Sequence, residues 1–285
     1  MLPTYIHAYL HSLELDQSVN TRLQVLEKLK KLGVTDFGYV LWNVPFKEYP
    51  RLSSLLPSMT PEAVQKAWTG WSGEALLLQS ISFVRSLAAN YATLSGKSLE
   101  GKRILDFGCG YGRFLRLANY YSDDVWGVDP WSESIRHCNE GGLREKILQS
   151  EYLPKTLPVP TNFDLVFAFS VFTHLSERAT KVCLAALRMH TQYGAISCIT
   201  IRPVEYWRMV YPDWSDERLR AIEAEHEKGF AFVPHARERV ENDITYGDTS
   251  MTLEWLAANA TGWQVEALDR SGDDPVQRYV YLRAV

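Results

Sequence analysis

From Lys102 onward, short apolar runs alternate with helical stretches, and the first run ends in a glycine-rich turn, ILDFGCGYGRF. That alternation restricts the fold more than any other feature of the chain. The runs RILDF, DVWGVD, KILQS, FDLVFAFS and AISCITI read as strands, and the helices between them begin near Arg113, Ser132 and Ser176. Strand–helix–strand units of this length pack as right-handed crossovers, so a mainly parallel sheet with helices on both faces is expected. The chain then reads as helix (TLEWLAANA), strand (WQVEALD) and strand (VQRYVYLRAV). The last two runs are too close for a crossover helix and should pair antiparallel.

Upstream the rhythm is helical and aromatic. VNTRLQVLEKLKKLG places Leu23, Leu26 and Leu29 on one stripe and closes on Gly33 as a helix stop. LPSMTPEAVQKAW offers Thr60 as an N-cap with Pro61 in the first helical position, and another helix is expected from about Glu74 to about Tyr91. The expected organisation is a helical extension or lid over 1–100 and an α/β domain over 101–285. An insert at 204–249 holds one clear helix, capped by Ser215 and stopped at Gly229.

In a doubly wound sheet, ligands sit beyond the carboxyl ends of the strands, where the strand order reverses. Gly108, Gly110 and Gly112 occupy such a turn, and glycine lets a ligand approach the main chain without meeting a Cβ. The spacing is DxGxGxG. The dinucleotide pattern GxGxxG would need glycine where Arg113 stands, and no GKS or GKT follows for a phosphate loop. Asp129 ends VWGVD, seventeen residues after Gly112, where a carboxylate can accept hydrogen bonds from both hydroxyls of a ribose. Together these features place a nucleoside across the sheet edge; the plain alternative is a tight turn and a helix cap.

ILDFGCGYGRF, VWGVDPWSESI and FDLVFAFSVFTHLSE resemble the first motif, the segment after it and the fourth strand with its loop in the class I S-adenosylmethionine-dependent methyltransferases. The resemblance implies a doubly wound, seven-stranded, mostly parallel sheet with an antiparallel last strand. LPSMTPEAVQKAWTGWSGEALL is similar to the helical leader of bacterial small-molecule members that carry the FTHL loop. As the resemblance implies, the backbone of Gly108, Cys109, Gly110 and Gly112 would lie against the methionine part of S-adenosylmethionine, with Asp106 orienting its amino group. Asp129 would hold the ribose, Pro130 or Trp131 would wall the adenine, and backbone near Tyr152 and Leu153 would meet its amine. Phe169 and Ser170, ending the fourth strand, would flank the cofactor.

Methyl transfer from a sulfonium is an in-line displacement, so orientation carries much of the acceleration. A hydroxyl acceptor must also lose a proton, a task suited to histidine. His174 in SVFTHLSE is the first candidate, with loop shaping as its alternative. His235 in FVPHARER is the second, with a solvated loop histidine as its alternative, whereas His226 shares a stripe with Leu219 and Ile222 and reads as packed. Arg113 could pair with the cofactor carboxylate or an acidic substrate, or be an ordinary helix-surface arginine. Trp68 in WTGWSG reads as part of a lid hinge, YGDTSM as a possible acceptor-pocket edge, and Cys109 as a small residue without a partner base.

A net charge of −4 gives no footprint for a polyanion, so nucleic acid is disfavoured as partner. The start of the sequence lacks signal-peptide features, and no apolar run suggests a membrane span. The four cysteines are scattered, and no cluster has metal-ligand spacing, so a reduced cytoplasmic protein without metal is expected. The expected activity is methylation of a small molecule, on a sugar or natural-product hydroxyl. Methylation of protein or nucleic acid, and cofactor binding without catalysis, stand as alternatives. A homodimer is left open.

Overall fold

The computed structural model describes residues 2–237, 239–272 and 274–285. It opens with helices α1 (Thr4–Leu15), α2 (Arg22–Leu29), α3 (Val34–Trp42), α4 (Pro50–Leu55), α5 (Glu62–Thr69) and α6 (Gly73–Ser95). The first four bury a core of their own, with Ile6, Leu10, Leu29, Phe37 and Leu52 shut off from solvent. On α2 the buried stripe is Val25, Leu26 and Leu29, and Leu23 is exposed, which corrects the expected stripe. Thr21 starts this helix with a reciprocal capping box to Gln24. Gly33 does not stop α2; it is the N-cap of α3. Thr60 is not a cap either. Pro61 holds that position in extended geometry, φ −52° and ψ 143°, so α5 starts one residue later and the Thr60 hydroxyl is buried without a partner.

Helix α6 joins the leader to the sheet. Its Phe83 is fully buried and meets Phe114, Phe169 and Tyr279 edge-on, with ring centroids 5.0, 4.7 and 5.0 Å away. Such pairs each add about 0.5–1.5 kcal/mol beyond the area they bury.

The sheet is built from β1 (Ile104–Phe107), β2 (Val125–Asp129), β3 (Ile147–Gln149), β4 (Phe163–Ala168), β5 (Thr191–Ile201), β8 (Trp263–Asp269) and β9 (Arg278–Ala284), in the order β3-β2-β1-β4-β5-β9-β8. Helices α7 (Arg113–Ala118), α8 (Ser132–Glu140), α9 (Glu177–His190) and α12 (Leu253–Asn259) connect these strands. Strands β1 to β5 pair parallel, and β9 runs antiparallel to both β5 and β8. All four residues of β1 are buried, as a central parallel strand covered on both faces requires. The order reverses between β1 and β4, so their carboxyl ends open the crevice in which this fold holds ligands.

The insert between β5 and α12 carries more structure than the sequence suggested. It contains α10 (Tyr206–Val210) and α11 (Asp216–Glu227), with Ser215 capping α11 through the Arg218 amide. It also contains a second sheet, β6 (Phe230–Pro234) paired antiparallel with β7 (Gly247–Met251). YGDTSM is therefore largely strand β7. Gly247 is obligatory there, because a Cβ would fall 2.1 Å from the carbonyl oxygen of Val233.

Candidate active site

A cavity of about 760 Å³ opens beyond the carboxyl ends of β1, β2 and β4. Its floor is Gly108, Cys109 and Gly110, and its far wall includes His174, Arg202, His235 and Tyr246.

The turn after β1 is shaped by left-handed backbone. Gly112 has φ +77°, and a Cβ there would meet Leu143 at 2.6 Å, so no side chain fits. Gly110 has φ +53° and faces space up to Trp68, 4.0 Å from where its Cβ would stand. Ser170, without the freedom of glycine, also takes positive φ (58°), and its amide donates to the Thr200 hydroxyl at 2.7 Å. Strained backbone of this kind concentrates at functional sites.

Asp129 ends β2 with one oxygen accepting from the Gly110 amide and the other from the Trp131 amide, both at 2.9 Å. The Ser134 side chain also bonds this carboxylate, which still leaves a lone pair to accept a ligand hydroxyl. Burial raises its pKa, against the opposing backbone hydrogen bonds. Asp106 lies just beneath the floor, 1 % exposed, and its Oδ2 has no partner among the described residues. Burial, with the like charge of Asp129, pushes its carboxyl well above the ordinary range, against the pull of Arg113.

These features fit S-adenosylmethionine. The bare Gly110 backbone leaves space for a ligand on the floor, Trp131 and Tyr152 border the cavity as apolar surface, and the orphaned Asp106 oxygen beneath the floor would act on an ammonium through water. Pro130, Phe169 and Ser170 line the same space. Leu153 does not: it is buried away from the cavity, so Tyr152 alone of that pair lines it. Gly112, like Asp106, supports the floor from below without lining it.

Arg113 is not a surface arginine. It is 8 % exposed, lies over the rings of Phe114 and Phe169 at 4.3 and 5.0 Å, and donates to Gln79 Oε1 at 3.1 Å. Burial lowers its pKa. It lines the cavity with donors to spare, which suits a carboxylate. Trp68 roofs the turn and stacks on Trp131. Cys109 is buried, and its neighbour Cys138 and desolvation raise its thiol pKa, so it is no nucleophile.

At the far end, Asp248 on β7 gathers donors from four side chains: Arg202 Nη1 at 2.6 Å, Tyr206 at 2.8 Å, His235 Nε2 at 2.8 Å, and Tyr211. Burial alone would raise this carboxyl; the Tyr211 and His235 hydrogen bonds and the Arg202 charge outweigh it and hold it well below the usual range. His174 has both ring nitrogens engaged, Nδ1 with the Gly247 carbonyl at 2.7 Å and Nε2 with Arg202 at 3.0 Å. Burial and the Arg202 charge lower its pKa to about 4. His226 bonds Ser250 from a buried position, as a packed histidine does.

The sequence reading missed Arg202, Asp248 and Arg116. Asp248 stood inside YGDTSM, and only the pairing of β7 with β6 reveals what it faces. Arg116 is fully buried under the turn and donates to the carbonyls of Tyr111 and Gly112, each at 2.8 Å, and of Ser58 at 2.5 Å. Among the described residues no group of three or more His, Cys, Asp or Glu could hold a metal ion, and no helix is long and apolar enough to cross a membrane.

A seven-stranded sheet of this order, with a glycine turn after β1 and a carboxylate ending β2, defines a class I S-adenosylmethionine-dependent methyltransferase. The chain belongs to the family described as "Methyltransferase domain", which matches residues 79–228, more than half of its length. It is 27% identical over 154 residues to the ubiquinone biosynthesis O-methyltransferase of Aeromonas salmonicida, a match covering 52% of this chain and 63% of that protein. The match thus spans less than two thirds of that relative's length. A tRNA U34 carboxymethyltransferase of Pseudomonas fluorescens is 37% identical over 84 residues, 27% of this chain and 26% of its own. Among solved structures, the magnesium protoporphyrin IX methyltransferase of Synechocystis with bound SAH overlays with a TM-score of 0.48 at 13% identity, covering 78% of this chain and 93% of that one.

Proposed function

We propose that the protein transfers the methyl group of S-adenosylmethionine to a hydroxyl of a small molecule, a sugar or natural-product scaffold. One observation carries this reading: a single cavity runs from the glycine turn to a wall with two histidines supplied by the FTHL loop and the insert. The names of the O-methyltransferase relatives agree with it.

When bound, the cofactor supplies an electrophilic methyl group on a positively charged sulfur. The chain's residues do the rest. Asp129 would grip the ribose and Arg113 the carboxylate, and Asp106 would orient the amino group through water from beneath the floor. Trp68 and Trp131 would shield the site from water. The leader and the insert roof the cavity, which favours a modest, enclosed acceptor over a polymer. Fixing donor and acceptor in line would supply most of the rate, and removal of the hydroxyl proton the remainder.

The test is incubation with methyl-labelled cofactor and a panel of phenols, catechols and glycosides, with calorimetry of the demethylated cofactor alongside. Label in a methyl ether is the expected result. Transfer only to amines, or to a protein or RNA, would overturn the hydroxyl reading, and failure to bind the cofactor product would overturn the site itself.

A further inference from the structure

Resting on that reading, we infer that His235, oriented by Asp248, is the base that takes the acceptor's proton, and that Arg202 has withdrawn His174 from the same task. The two histidines lie side by side, ring centroids 6.4 Å apart, on the wall of one cavity, so their partners decide between them.

Hydrogen-bond chemistry fixes both tautomers. A carbonyl can only accept, so His174 must carry its proton on Nδ1 toward Gly247. A guanidinium can only donate, so His174 Nε2 spends its lone pair on Arg202. To act as a base, this ring would have to expel Arg202 and place a second cation against it in a buried site. For His235 the order is reversed. Its Nε2 faces the Asp248 carboxylate at 2.8 Å, so Nε2 holds the proton and Nδ1 keeps a bare lone pair, with no partner among the described residues. His235 lines the cavity, and an imidazole with one nitrogen on a carboxylate and the other unpartnered is poised to accept a proton and to share the resulting charge.

The fold holds this pair. β6 and β7 pair Pro234 with Gly247, which leaves His235 just past the end of β6 and Asp248 one residue into β7. The His235 amide donates to the Tyr246 carbonyl at 3.1 Å. Arg202 and Tyr206 bond Oδ1 of the carboxylate, and Tyr211 shares Oδ2 with His235. Asp248 is thus a positioning residue and His235 the catalytic one. In the step, the acceptor oxygen bonds to the methyl carbon as the carbon–sulfur bond breaks and its electron pair stays on sulfur. The O–H proton passes to His235 Nδ1 and then to solvent. The products are a methyl ether and the demethylated cofactor.

The decisive measurement is nitrogen-15 ring spectroscopy of the full chain, with signals assigned through single histidine variants. Expected are an Nε2–H, bare-Nδ1 tautomer for His235 and the opposite tautomer for His174. In Asp248→Asn the His235 tautomer preference should be lost. A His235 signal carrying its proton on Nδ1 would overturn the assignment. In turnover with the hydroxyl panel, His235→Gln should lower kcat roughly 10²–10⁴-fold while calorimetry finds unchanged affinity for the demethylated cofactor. His174→Gln should lose distinctly less, and the reverse ranking would also overturn the proposal. If the wild-type protein methylates no hydroxyl at all, the proposed activity fails instead, and the ring spectra decide the pair by themselves.

Discussion

Trp68, in the last turn of α5, stacks on Trp131 at the start of α8, ring centroids 4.5 Å apart and planes 28° apart. The contact joins the helical leader to the wall where the adenine would lie. Trp68 also touches Tyr111 and His137, at 5.7 and 5.4 Å between centroids. Behind it, Gly70 and Gly73 both take positive φ (78° and 58°) in the tight turn between α5 and α6.

Trp68→Ala should therefore loosen the roof. An aromatic pair is worth about 0.5–1.5 kcal/mol, so affinity for the demethylated cofactor should fall roughly two- to tenfold by calorimetry, since 1.4 kcal/mol is about tenfold. Quenching of tryptophan fluorescence on binding should shrink with it. Undiminished affinity would reduce the Trp68–Trp131 stack to packing.

Asp129→Ala should weaken the same ligand by about 1–3 kcal/mol, the loss expected when hydrogen bonds to a charged group disappear. The Gly110 and Trp131 amides would lose their acceptor too, so the turn itself should relax. Melting the free protein beside the binding titration separates the two effects. A variant that melts lower yet binds as well as wild type would remove Asp129 from the ribose site.

His174 makes stability depend on pH. Its folded pKa, about 4, lies below the ordinary 6.5, so the unfolded chain binds the proton first as pH falls. Stability is then lost between pH 6.5 and about 4, at about 1.4 kcal/mol per unit and roughly 3 kcal/mol at most. The buried carboxyls of Asp106, Asp129 and Asp274 are shifted upward and work in the opposite direction, so the difference between wild type and His174→Gln is the useful quantity. Urea midpoints should converge between the two proteins as pH drops from 7 to 4.5. Parallel curves would mean that His174 takes up a proton in the folded state as readily as in the unfolded one.

The sheet could be read from the sequence because its central strands are short apolar runs separated by helical stretches, with a glycine turn after β1 and an aspartate ending β2. Asp129 and the glycine turn were legible for the same reason, being local to one strand–helix unit. The insert was not. The partners of β6 lie beyond a loop, and a period-two pattern of five residues, FAFVP, does not announce its pairing with GDTSM. The choice between His174 and His235 was equally hidden. It depends on Arg202 from the end of β5 and Asp248 from β7, residues 46 positions apart that meet at 2.6 Å. RFLRLA left Arg113 open between a carboxylate partner and a helix-surface arginine and said nothing of Arg116, because only the packing of α7 shows that both are buried.

Arg116 gives the sharpest structural test. It is a cation with no carboxylate partner among the described residues, fully buried, with burial lowering its pKa to about 10. Its fork instead binds three carbonyls, two in the glycine turn and one, Ser58, in the leader. Gly141 must be bare to admit it, since a Cβ there would lie 2.5 Å from Arg116 Nη2. Arg116→Ala would leave those carbonyls unpaired in a dry site and should cost roughly 2–4 kcal/mol, lowering Tm by several degrees. Lysine offers a point charge where a planar fork is needed, so Arg116→Lys should recover little of the stability. Both variants should also bind the demethylated cofactor more weakly, because the turn and the leader lose their common anchor. A lysine variant that melts and binds like wild type would show that the fork geometry does not matter, and that charge alone holds the turn.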